Sequence, residues 1–131
     1  MTPDLHYLAY SAVLTWAMLL LASLIRASAW TPKGFLLAIG NRDSMPDPTV
    51  FAARLDRAAK NTLEGLALFT AVIMVAHLGG VAPDKIAPGA KLFFWARVAY
   101  PFAYLVNIPM VRTAVWTASI IGMVMILVAS H

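Results

Sequence analysis

Hydrophobic residues along the chain gather into four long stretches, separated by short segments rich in proline and glycine. A bilayer core needs about 20 predominantly apolar residues per helix. Leu5 to Ile25 supplies one such stretch, interrupted only by His6. The second begins among charges near Phe51 and turns apolar from Gly65 to about Leu78. Leu92 to Val106 forms a third with Arg97 inside it, and Thr113 to Ser130 a fourth without any charge. The gaps hold Pro32, Gly34, Gly40, Pro46 and Pro48, then Gly79, Gly80, Pro83, Pro88 and Gly89, then Asn107 and Pro109, residues that turn a chain or end a helix. The pattern predicts an all-α integral membrane four-helix bundle, one domain over 1–131, with helices at about 5–27, 50–78, 90–107 and 110–130.

The first stretch is expected to remain in the protein. Ala27-Ser28-Ala29 looks like a small-residue cleavage site, but the N-terminus carries Asp4 and no basic residue. The stretch is also longer than the roughly 7–15 apolar residues of a signal peptide.

Composition narrows the chemistry. Of 131 residues, 61% are hydrophobic and 12% charged, against about 45–50% and about 25% in soluble domains. So small a chain has too little interior to hide that much apolar surface from water. The absence of cysteine excludes disulfides, thiolate metal sites and a cysteine nucleophile of the chain's own. His6, His77 and His131 lie far apart, so no metal site is expected. The net charge of +4 is scattered between apolar segments, which argues against nucleic acid as a partner. Its distribution instead reports topology. Arg26, Lys33, Arg42, Arg54, Arg57 and Lys60 surround the first loop, Lys85 and Lys91 occupy the second, Arg112 the third, and the N-terminal tail has none. The positive-inside rule puts the first and third loops in the cytoplasm and both termini outside.

The candidate functional residues are the polar groups at membrane depth. An ionisable side chain within a span costs at least about 2.5–3.5 kcal/mol, so it faces protein or a water-filled cavity. Arg54, Arg57, Asn61 and Glu64 recur at spacings of three and four and share a helix face. Arg97, Tyr100 and Tyr104 do the same on the next helix, and Arg112-Thr113 opens the last one at the same level. Glu64 and Arg97 are expected to pair across helices, since each is otherwise an uncompensated buried charge. The remaining cations, with Asn61 and two phenols, suit a small ligand bearing carboxylates, because arginine grips a carboxylate at two points. Glu64, if free, would hold the ligand's ammonium. Arg54 and Lys60 also read as anchors that snorkel to headgroups. Pro101 removes the hydrogen bond to the carbonyl of Arg97, which either shapes the pocket through a kink or is ordinary proline use in a membrane helix. Trp16, Trp30, Trp95 and Trp116 read as belt or packing residues, and His77 as an interface residue.

With these residues assembled, the chain resembles the MAPEG family, the membrane-associated proteins in eicosanoid and glutathione metabolism. Arg57-Ala58-Ala59-Lys60-Asn61-Thr62-Leu63-Glu64 is similar to the family's second-helix signature. Ala96-Arg97-Val98-Ala99-Tyr100 through Tyr104, then Arg112-Thr113, is similar to its third-to-fourth-helix signature. The resemblance covers nearly the whole chain and is closest to the bacterial members. It implies a homotrimer in the bacterial inner membrane, with both termini periplasmic, that binds glutathione as co-substrate between neighbouring subunits. Arg57, Asn61, Glu64, Tyr100 and Tyr104 would contact glutathione, with Lys60 and Thr113 beside them, and Arg97 would be a buried partner in the network. Arg112 would stabilise the thiolate. The implied activity is a glutathione transferase or glutathione-dependent peroxidase acting on a lipophilic small molecule delivered by membrane lipid. The alternative is a non-catalytic interaction or scaffold protein that keeps the fold. Two positions depart from the family pattern: Ala59 stands where His or Gln is usual, and Gly65 where an aromatic is common. Both changes are expected to remove side chains that line the glutathione pocket.

Overall fold

The computed structural model describes residues 2–28, 31–40, 49–106 and 108–130. Trp30, Arg42, Pro46, Pro48, Asn107 and His131 lie outside the described residues. The described chain is helical throughout: α1 (Pro3–Ala27), α2 (Pro32–Ile39), α3 (Val50–Leu78), α4 (Pro83–Val106) and α5 (Pro109–Ala129). Prolines open four of the five, where the missing N–H is one that a helix leaves unpaired in any case. α3 is opened instead by Thr49, whose hydroxyl accepts a hydrogen bond from the Ala52 N–H at 3.0 Å.

The helix from Pro83 starts well before the apolar stretch at Leu92, so three expected breakers need a different account. Pro83 is a helix start, while Pro88 and Gly89 lie inside α4. Gly89 serves packing. A β-carbon built there would sit 2.5 Å from the carbonyl oxygen of Gly122, and one at Gly122 would sit 2.6 Å from that of Gly89. The backbones of α4 and α5 therefore touch, an approach typical of small residues at membrane helix contacts.

The long helices run alternately up and down. Asp4 at the start of α1 meets His77 at the end of α3, Arg57 early in α3 meets Tyr104 late in α4, and Gly89 meets Gly122. The core has two parts. Phe69 and Phe93 stack with ring centroids 3.9 Å apart, among Ile73, Ala76, Ile86, Ala90, Met123 and Ile126. Towards the other end, Met18, Ala22, Leu55, Ala58 and Ala59 pack against Tyr100 and Tyr104. The outward surfaces remain apolar, with Val13, Trp16, Leu68, Val75 and Val128 exposed.

α1, α3 and α5 are each long and apolar enough to cross a membrane. α4 matches them in length but carries Asp84, Lys85, Lys91 and Arg97.

Candidate functional site

Three arginines converge at one end of the bundle. Arg57 comes from the first turns of α3, Arg97 from the middle of α4, and Arg112 from the first turn of α5. The antiparallel runs of α3, α4 and α5 bring them together. Arg57 donates from Nε to the Tyr104 hydroxyl at 2.8 Å, and its guanidinium lies 5.9 Å from the Tyr104 ring centre. Arg112 lies over the same ring at 4.9 Å. Two guanidinium groups thus approach one aromatic ring, whose faces carry a negative potential that favours cations.

Arg97 is 2% exposed and donates from Nη1 to Asn61 Oδ1 at 2.7 Å. Its guanidinium also lies 5.0 Å from the Tyr100 ring centre and 5.6 Å from that of Phe93. Its Nε is buried with no acceptor. The expected Glu64–Arg97 ion pair is not formed. Asn61, one helical turn before Glu64 on α3, takes the guanidinium instead, while the Glu64 side chain faces outward. Glu64 is exposed, although it and Arg97 line the same cavity.

Among the described residues, none of the three arginines has a carboxylate partner; the ion pairs are Lys60–Asp56 and His77–Asp4. The site is held by aromatic faces, a phenol and an amide. Most guanidinium N–H groups there remain unspent, which is the condition of an anion receptor.

A cavity of about 220 Å³ opens beside these groups, lined by Asn61, Tyr100, Arg112, Thr113 and Trp116. A second, of about 160 Å³, shares Asn61 and Trp116 and continues past Glu64, Gly65 and Arg97 to Leu68, Ile120 and Met123. A polar cup and a mainly apolar cleft thus lie side by side, with Asn61 and Trp116 in the walls of both. Asn61, Tyr100, Arg112 and Thr113 meet at the cup; Arg57 and Tyr104 adjoin it through the shared ring. Lys60 does not join them, being exposed and paired with Asp56 at 3.0 Å on its own helix.

A sequence model of the MAPEG family matches residues 5–131. The chain belongs to the MAPEG family. Searches of curated proteins and of solved structures returned no match. Membership makes this an integral membrane protein of the class linked to glutathione metabolism.

Within that family frame, the two departures have structural explanations. Ala59 is fully buried between Met18, Leu55 and Tyr100, so its small side chain belongs to the helix packing and not to the cup. Gly65 does line the second cavity, but the space above it is taken by Arg97. A β-carbon at Gly65 would approach Nη2 to 2.6 Å and Cζ to 2.9 Å. An aromatic side chain there and this placement of Arg97 exclude one another.

Two features of this MAPEG protein escaped the sequence reading. Trp116 walls both cavities; the signal was its position one turn after Arg112, on the same face. Asp4 is fully buried, with its Oδ2 3.3 Å from His77 Nδ1, so His77 is a partner of α1 and not simply an interface residue.

Proposed function

We propose that this MAPEG protein binds glutathione at the arginine end of the bundle and presents its thiolate to a lipophilic substrate, as a transferase or a peroxidase. The observation that carries the reading is a polar cup lined by Asn61, Tyr100, Arg112 and Thr113, with Arg57 beside it and Arg97 on an adjoining, mainly apolar cavity, none of the three arginines being spent in an ion pair among the described residues. Glutathione carries two carboxylates and an ionisable thiol, which matches a site rich in unspent guanidinium donors.

Each residue takes a role from its surroundings. Arg57, oriented by the Tyr104 hydroxyl, receives a carboxylate. Asn61 and Tyr100 fix the peptide backbone, Glu64 takes the ammonium, and Thr113 donates a hydrogen bond near the thiol. Lys60 supplies longer-range attraction from the rim. Arg112 stabilises the thiolate. A free thiol has a pKa of about 8.5, and a cation beside it raises the thiolate fraction at neutral pH. Each unit of depression requires about 1.4 kcal/mol of preferential stabilisation. In conjugation the thiol proton leaves to water at the open cup and the thiolate sulfur bonds to an electrophilic carbon, whose bond to a leaving group breaks as that group departs with the electron pair. With an activated alkene the π electron pair moves away from the attacked carbon and is taken up by a proton from water. In peroxide reduction two glutathione molecules become a disulfide while the hydroperoxide becomes an alcohol and water. The four long helices are read as four spans of one subunit in a homotrimer, in a bacterial inner membrane with both termini periplasmic.

A glutathione titration of detergent-purified protein, following the thiolate ultraviolet band in wild type and Arg112→Ala, tests the reading. A saturable band lost in the variant is expected. Binding without a thiolate band removes Arg112 from its role. No binding at millimolar glutathione overturns the enzyme and leaves a scaffold that keeps the fold.

A further inference from the structure

We propose that α2 is an interfacial anchor that lays an apolar face into the bilayer and reads anionic phospholipid headgroups with the basic residues around it. This does not depend on glutathione binding. α1 has 25 residues, roughly 37 Å of helix, while the hydrocarbon core is about 30 Å thick. Its C-terminal end therefore emerges at headgroup level, and α2 starts there.

Described residues at the two helix ends hold them together. Ser28 adopts the left-handed conformation with φ 53°. Thr31 donates its hydroxyl to the Ser28 carbonyl at 2.9 Å and accepts from the Gly34 N–H at 3.0 Å. Gly34 then presses against the last carbonyls of α1; a β-carbon there would overlap both the Ala27 and Ser28 oxygens. α2 is thus fixed to the end of α1, and among the described residues it packs against no other helix.

What it presents outward is apolar. Phe35, Leu36 and Ile39 share one face and are 54%, 66% and 65% exposed. In water such a face is a liability; at headgroup level it sits among acyl chains. Lys33 is exposed on the same helix, Arg26 and Arg54 lie at the same end, and α2 contains no acidic residue. None of these three cations has an ion-pair partner among the described residues. Position, amphipathicity and charge favour an anionic lipid surface as the occupant.

The chain has no cysteine, so Leu36→Cys, Ile39→Cys and Lys33→Cys each accept a single environment-sensitive fluorophore. The labelled proteins are placed in nanodiscs of phosphatidylcholine, or of equal parts phosphatidylcholine and phosphatidylglycerol. At 36 and 39, lipids bearing a nitroxide near the headgroup end of the acyl chain quench strongly and aqueous iodide weakly; at 33 the order reverses. Lys33→Gln lowers the preference for spin-labelled phosphatidylglycerol over phosphatidylcholine beside α2 by up to about fivefold, the worth of one basic residue near an anionic surface. Iodide access at 36 and 39 overturns the anchor. Shielding there from both quenchers also overturns it and indicates a protein cover. An unchanged lipid preference in Lys33→Gln overturns the anionic recognition.

Discussion

Replacing Gly65 by alanine tests how the site is held. The new β-carbon would lie 2.6 Å from Nη2, 2.9 Å from Cζ and 3.1 Å from Nε of Arg97. Ordinary contact begins near 3.4 Å, so the guanidinium must retreat by most of an ångström. A solvent-exposed arginine would do so freely. Arg97 is 2% exposed, bonded to Asn61 at 2.7 Å and packed on the Phe93 and Tyr100 rings, so retreat breaks the Asn61 bond. A hydrogen bond to a charged group contributes about 1.5–3 kcal/mol. Helix propensity works the other way, since alanine favours a helix over glycine by about 1 kcal/mol. The net expectation is destabilisation by about 1 kcal/mol. Denaturation in mixed micelles, followed by circular dichroism, measures it. The same substitution in an Arg97→Met background meets no guanidinium, so only the propensity gain remains and the sign reverses to about 1 kcal/mol stabilising. Equal effects in both backgrounds, or a stabilising effect with Arg97 present, would refute the reasoning.

Two further outcomes follow from single contacts. Tyr104→Phe keeps the ring under Arg112 but removes the acceptor 2.8 Å from Arg57 Nε; glutathione affinity, measured by calorimetry, is expected to fall about fivefold, the worth of roughly 1 kcal/mol, and unchanged affinity would remove Arg57 from the site. Gly122→Ala drives a β-carbon to 2.6 Å from the Gly89 oxygen and 2.8 Å from the Phe93 nitrogen; both are backbone atoms, so α4 and α5 must separate, with an expected loss of about 1–3 kcal/mol in the same micelle assay.

The all-helical architecture was legible because membrane spans announce themselves by length and apolarity, as Leu5 to Ile25 does. The clustering of Arg57, Asn61, Tyr100, Tyr104 and Arg112 was legible too, because three- and four-residue spacings fix helix faces and antiparallel runs fix depth. Partner choice was not. Spacing puts Asn61 and Glu64 on one face of α3, and Coulomb's law alone favours Glu64 for Arg97. Which one is reached depends on the stagger between α3 and α4, set by contacts such as Phe69 on Phe93 that no spacing reveals. Gly89 misled for a related reason. Glycine breaks helices in water, but between membrane helices it permits close backbone approach, and the residue alone does not say which applies. The motif shows that Ala59 lacks the side chain usual at its position, but its burial against α1 and α4 is a property of three helices together, which the motif does not reveal.

The outward stripe of α3 carries the argument for the proposed homotrimer. Arg57, Lys60, Glu64, Leu68, Ala71 and Val75 recur along one exposed face. The half near Leu78 is apolar, as lipid contact requires. The half near Thr49 is charged, and Glu64 lies roughly 20 Å along the helix from Val50. Lys60 is compensated by Asp56, but Glu64 has no ion-pair partner among the described residues. A carboxylate held against acyl chains at that depth costs at least about 2.5 kcal/mol. Something polar must cover it, either the ammonium of a bound ligand or a neighbouring subunit, and the two coincide if glutathione binds where subunits meet. The exposure of Glu64 in an isolated subunit is then no defect of the fold. In the proposed homotrimer, it would mark the edge at which the next copy completes the site.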